Sequence, residues 1–202
     1  MLRYLLRRAV QALVVLVGAA ILVFLLLQLV PGDPVRSAMG TRFNPETYEI
    51  LRAEAGLDRP LHEQLVNYLA GAATGDFGVS FRNGESVFEL VVARMPATIS
   101  LAVSALVIAL LISFPLGIVS AMRRGTMVDH LARIGSQIGI SVPDFWLGIM
   151  LILVLTSWLG LLPPSGYTPI TEDPLDWLRH VIMPALAVGL ISGSILTRFI
   201  RS

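Results

Sequence analysis

Apolar residues gather in four long runs, 10–30, 98–121, 131–161 and 181–200, separated by stretches rich in charge, proline and glycine. Each run is near or above the roughly 20 residues a helix needs to cross a hydrocarbon core of about 30 Å. The pattern therefore predicts an all-α integral membrane protein with four spans, a short segment 1–9 before the first, and connections at 31–97, 122–130 and 162–180. The third run is too long for a perpendicular crossing, so it is expected either to tilt or to begin outside the membrane. Pro143 should kink it, and Pro115 with Gly117 should bend the second span.

The 31–97 connection reads as a chain of short amphipathic helices. Pro31-Gly32-Asp33-Pro34 stops the first span. Asn44 is placed to cap a helix with Pro45 at its first position, Glu46 and Glu49 near its positive end, and Gly56 beyond its last turn. A second helix should start near Pro60 and carry Leu61, Leu65 and Leu69 on one stripe before Gly71 and Gly75. A third is expected between the Ser86-x-x-Glu89 capping box and Pro96, either lying on the membrane surface or packed on its neighbours.

Within the spans, polar and small residues fall in register. At 100° per residue, Arg133, Gln137, Ser141 and Asp144 occupy one quarter of the third helix, with Gly135, Gly139 and Pro143 on the other side. Asp144 is the intramembrane carboxylate of interest. A charged aspartate at the bilayer centre costs about 2.5–3.5 kcal/mol, so it should face an aqueous pathway or a partner; the alternative is a first-turn position near the interface, stabilised by the helix dipole and water. Ala185, Gly189, Gly193 and Thr197 recur every four residues in the fourth span, a ridge suited to close helix packing. Trp146 and Trp158 suit packing or interfacial anchoring.

Charge gives the orientation. Arg3, Arg7 and Arg8 precede the first span, Arg123 and Arg124 follow the second, and Arg198 and Arg201 close the fourth, whereas the 162–180 connection holds Arg179 against Glu172, Asp173 and Asp176. The positive-inside rule then puts both ends and the 122–130 loop in the cytoplasm and 31–97 outside. The first apolar run exceeds the 7–15 residues of a signal peptide's apolar region, so an uncleaved helix is expected.

Composition narrows the chemistry. All 15 basic residues are arginine, so no lysine can serve a phosphate-binding loop or a Schiff base, and the chain has no cysteine for disulfides or thiolate sites. His62, His130 and His180 have no metal-site spacing, and neither H-E-x-x-H nor G-x-S-x-G occurs. A net charge of +1 gives no sign of nucleic-acid binding. The chain should be no enzyme by itself, and no metal site or cofactor is expected in it.

Several segments in order extend the reading: Pro31-Gly32-Asp33-Pro34; Gly56-Leu57-Asp58-Arg59-Pro60-Leu61 with Gln64; Gly75-Asp76-Phe77-Gly78-Val79-Ser80; Pro115-Leu116-Gly117; Arg123-Arg124-Gly125; Val142-Pro143-Asp144-Phe145-Trp146-Leu147-Gly148; Leu159-Gly160-Leu161-Leu162-Pro163; and Arg179-His180-Val181-Ile182-Met183-Pro184-Ala185. In that order they resemble the B-type membrane subunit of dipeptide, oligopeptide and nickel ABC importers, the binding-protein-dependent transport permeases. The resemblance implies a type I importer transmembrane domain in a prokaryotic inner membrane, forming half of a translocation pathway for peptides or related small solutes. It also implies a homologous second permease, two cytoplasmic subunits that bind ATP and magnesium, an external solute-binding protein and surrounding lipid as partners. Arg133, Gln137, Ser141 and Asp144 are the pathway candidates.

Members of that family follow the fourth of these spans with an E-A-A-x-x-x-G coupling loop and two further spans, but this sequence stops at Ser202. The expectation is a fragment of a longer permease or a truncated product. An ATP-independent transporter or channel, and a non-transporting membrane scaffold, stand as alternatives.

Overall fold

The computed structural model describes residues 1–29, 31–40, 44–80 and 83–202. Among them, regular structure is helical except for one isolated antiparallel bridge between Val79 and Ser86. The chain divides into two compact units, Met1–Ala93 and Arg94–Ser202.

In the first unit, α1 (Leu2–Leu29) carries apolar side chains on all sides and buries none of them. A helix of this kind suits lipid or other helices as its surroundings. Its Phe24 ring stacks on Tyr68 of α4 (Leu61–Thr74) at 5.9 Å. The stop at 31–34 is also a start: Asp33 caps the short α2 (Pro34–Met39), accepting from the amides of Val35 and Arg36. Asn44 accepts from the Glu46 amide at 2.9 Å and opens α3 (Pro45–Glu54). Gly56 then takes φ +65, a left-handed conformation that favours glycine. The Gln64 side chain of α4 (Leu61–Thr74) reaches back to donate to the carbonyls of Leu57 and Arg59, which fixes the α3–α4 turn. Beyond α4, Asp76 accepts from the Gly78 amide, the Val87 amide donates to Gly78, and Phe77 stacks on Phe88 at 6.5 Å.

The next helix departs from expectation. Instead of a surface helix ending at Pro96 and a separate span from 98, α5 runs unbroken from Val87 to Met122 through both Pro96 and Pro115. A proline interior to a helix is tolerated where the surroundings favour keeping every other backbone group bonded internally, as in a membrane. The Ser86 capping bond survives only as a long 3.5 Å contact to the Glu89 amide.

In the second unit, a turn containing Gly125 at φ +78 joins α5 to α6 (Met127–Ser141). The kink expected at Pro143 is a break. α6 ends at Ser141, α7 (Asp144–Leu151) leads into a π-helical segment Ile152–Trp158, and the two limbs meet at 93°. Pro143 offers no amide to the preceding turn, and Val142 before it is pushed to extended geometry at φ −84, ψ 123. The last helix, α8 (Pro174–Arg201), starts seven residues before the expected boundary of 181, because Asp173 accepts from the amides of Leu175 and Asp176 and Pro174 supplies a preset first position. α1, α5 and α8 are each long and apolar enough to cross a membrane, and the bent α6–α7 pair makes a fourth if it counts as one span.

Candidate functional site

A close approach of α5 and α8 in the second unit is built from small residues on both partners. On α5, Ala105, Ala109, Ser113 and Gly117 are buried at four-residue intervals; on α8, Ala185, Gly189, Gly193 and Thr197 are buried at the same interval. A methyl group on Gly193 would stand 3.2 Å from the Ala109 carbonyl oxygen, and one on Gly117 would stand 3.3 Å from that of Thr197. The Thr197 hydroxyl donates to the Gly193 carbonyl at 2.7 Å, so the polar group stays satisfied inside its own helix. The sequence reading found the α8 ridge but not its mate on α5, although the mate has the same spacing.

α6 meets α8 at one such point. Gly139 lies against Ser194, whose hydroxyl donates to the Leu190 carbonyl. Gly135, expected in the same packing role, has nothing of this chain within 4 Å of where a methyl group would be. It lines an apolar cavity of about 430 Å³ among α5, α6 and α8, with Leu116, Leu131 and Leu190 among the other walls. Spacing along α6 alone does not decide where it touches a neighbour.

The polar quartet is divided. Arg133 and Gln137 line an open depression of about 400 Å³ on α6 together with His130 and Ile134. Ser141 is exposed but turns its hydroxyl back to the Gln137 carbonyl at 2.8 Å. Asp144 is exposed too, yet it belongs to the first turn of α7, where its carboxylate accepts from the Phe145 amide at 2.8 Å. The helical phase that groups it with the other three ends at the 93° break, because it holds only along an uninterrupted helix. Trp146 and Trp158 are both exposed.

At the end of the unit where α5 turns into α6, the structure holds a feature that the sequence reading missed. Asp129, 1% exposed, takes a bidentate pair from Arg201, Nε to Oδ1 at 2.6 Å and Nη2 to Oδ2 at 2.9 Å. The Ser120 hydroxyl donates to Oδ1 at 2.6 Å and the Gly125 amide to Oδ2 at 3.1 Å. Four donors from α5, the α5–α6 turn and α8 thus converge on one carboxylate. By sequence Arg201 is one of the charges that orient the chain and Asp129 falls in the 122–130 connection, and a partner 72 residues away leaves no local signal.

At the opposite end of α8, the 162–173 connection is pinned. The Tyr167 and Ser100 hydroxyls lie 3.0 Å apart, Thr168 donates to Asp176, and the His180 ring Nδ1 sits 2.9 Å from the Asp176 carbonyl oxygen. Gly166, at φ +115, lies so close to the His180 ring that a methyl group there would stand 2.9 Å from Nε2. Among the described residues, no three histidine or acidic side chains gather as a metal site.

Comparison with known proteins places this geometry. Residues 1–102 match the N-terminal family model of binding-protein-dependent transport system membrane components, and residues 113–202 match the model described as binding-protein-dependent transport system inner membrane component. The chain is 39% identical over 197 residues to a peptide transport system permease protein of Brucella abortus (strain 2308), covering 98% of this chain and 63% of that one. It is 37% identical over 209 residues to the D,D-dipeptide transport system permease protein DdpB of Escherichia coli K12, covering 93% and 62%. With the dipeptide transport system permease protein DppB of the same organism, identity is 34% over 226 residues, covering 100% and 67%. The chain thus spans somewhat under two thirds of the length of the first two relatives.

Proposed function

Because the chain belongs to the family of binding-protein-dependent transport system inner membrane components, with the all-α transmembrane fold of type I importers, we propose that it serves as a permease subunit of an ATP-driven importer for peptides or related small solutes. In this reading it forms half of a translocation pathway with a homologous second permease. Substrate arrives from an external solute-binding protein, and two cytoplasmic subunits bind ATP and magnesium and hydrolyse the ATP, so the permease chain needs no cofactor of its own. Both ends of this chain face the cytoplasm and residues 31–97 lie outside, in accord with the arginine distribution of the ends and the 122–130 loop.

The observation that carries the reading is the face of α6. Arg133, Gln137 and Ser141 are exposed along one side of a helix whose Gly139 packs on α8. Polar side chains on a membrane helix are costly toward lipid and belong on a cavity or a partner. Asp144 stands exposed at the break beyond them, in the first turn of α7. Peptides offer charged termini and amides that such donors and acceptors can meet transiently. The substrate class itself is carried over from the relatives named for peptide and dipeptide transport.

The test uses the complete transporter in proteoliposomes. Gln137→Leu and Asp144→Asn should each lower ATP-dependent uptake of a labelled dipeptide while assembly with the partner subunits stays at the parent level. Unchanged uptake in both variants would remove the polar face from the pathway. Uptake that proceeds without ATP and follows an ion gradient would overturn the importer reading.

A further inference from the structure

Asp129 is the one charged residue among the described residues that is buried. Its carboxylate is filled: Oδ1 accepts from Ser120 and Arg201 Nε, and Oδ2 accepts from Gly125 and Arg201 Nη2. A buried ion pair contributes little net stability over an apolar substitute, and its best-attested use is to fix one arrangement against others. Beyond the pair, an open apolar cleft of about 430 Å³ lies among α5, α6 and α8, with Ser136 of α6 buried beside it and Gly139 against Ser194 further along. The ionic cluster ties the start of α6 to the ends of the other two helices through four donors on one buried carboxylate.

We propose that Asp129 and Arg201 form a positioning clasp that makes the α5–α6 turn and the end of α8 move as one body. A force applied at that end of the bundle then displaces α5, α6 and α8 together instead of prising them apart at the cavity. The role in transport rests on the importer reading above; the mechanical part does not.

The chain contains no cysteine, so labels can be placed singly. Spin labels at Arg123→Cys and Phe199→Cys, both exposed, report the distance across the clasp in the complete reconstituted transporter. The expected result is a narrow distribution that stays the same with and without nucleotide, becoming broad and nucleotide-dependent in Arg201→Gln and in Asp129→Asn. Dipeptide uptake per ATP hydrolysed should fall several-fold in both variants and recover in part in Arg201→Lys, which restores the charge without the bidentate geometry. A parent distance that shifts with nucleotide overturns the clasp, and so does an Arg201→Gln transporter with the parent's distance distribution and the parent's uptake per ATP. If Arg201→Gln and Asp129→Asn fail to assemble, the parent measurement alone still decides. If the parent shows no ATP-dependent uptake, the importer reading fails, and the comparison of distance distributions still judges the clasp.

Discussion

A methyl group on Gly189 would stand 2.8 Å from Ile108 Cβ and 2.9 Å from the Ala105 carbonyl oxygen, whereas one on Gly135 would meet nothing within 4 Å. The two glycines look alike in sequence, each inside an apolar helical run with small neighbours, yet they should respond oppositely to substitution. Gly189→Val forces α5 and α8 apart and should lower stability by about 1–3 kcal/mol, as overpacking of a close-packed interface does. Gly135→Ala adds a good helix former in open space and should be neutral or stabilising by up to about 1 kcal/mol. Denaturation of the purified protein in mild detergent reads both, as a lowered midpoint for the first and an equal or raised one for the second. The four-residue recurrence of small side chains is legible from sequence on α8, and equally so on α5 at Ala105, Ala109, Ser113 and Gly117. What is not legible is which neighbour each ridge meets, since that depends on the placement of another helix.

At the scale of elements, the Asp33 junction of α2 and α3 shows how a local signal gains a tertiary role. Asp33 caps α2, accepts the Tyr48 hydroxyl of α3 at 2.7 Å, and lies 3.5 Å from Arg52 Nη1, which also donates to the Tyr48 oxygen. Partial burial pushes the Asp33 carboxyl up, but the Arg36 amide, the Tyr48 hydroxyl, the Val35 amide and the Arg52 charge outweigh it and hold the group below its ordinary value of 3.8. A carboxyl depressed on folding contributes stability that is fully present above its unfolded pKa and is lost as pH falls through the folded one. The α2–α3 pair should therefore hold its amide protection at neutral pH and lose part of it below about pH 4, near the ordinary carboxylate range. In Asp33→Asn the protection should be weaker at neutral pH and flatter across that window. Hydrogen exchange over residues 34–54 measures both effects. The Asn44 cap and the Gly56 stop of α3 were readable because caps act within a few residues. The early start of α8 has an equally local signal in Asp173-Pro174, which lies outside the apolar run that marks the span. At Pro143, sequence indicated a bend, but the 93° between the limbs depends on what each limb packs against, with α7 and α6 both resting on α8.

At the scale of the whole molecule, orientation is the property with the widest consequences. If the arginine-rich ends face the cytoplasm, a cysteine at Ser165 should react with a membrane-impermeant thiol reagent added to intact spheroplasts, and one at Met122 should react only after permeabilisation. Both positions are exposed, and the chain has no cysteine to give a background. The opposite labelling would invert the topology and place the clasp on the outer side.

Sequence by itself determined that this chain lives in a membrane, where its helices run in broad terms, and to which family it belongs, because run length, capping chemistry and ordered motifs are local along the chain. Tertiary structure alone decided that Asp144 lies around a corner from Arg133, Gln137 and Ser141, that Gly139 packs while Gly135 lines a cavity, and that Asp129 finds Arg201 across 72 residues. These are relations between segments. They follow from how one helix breaks and how closely another approaches, and neither is written in the spacing of residues on a single helix.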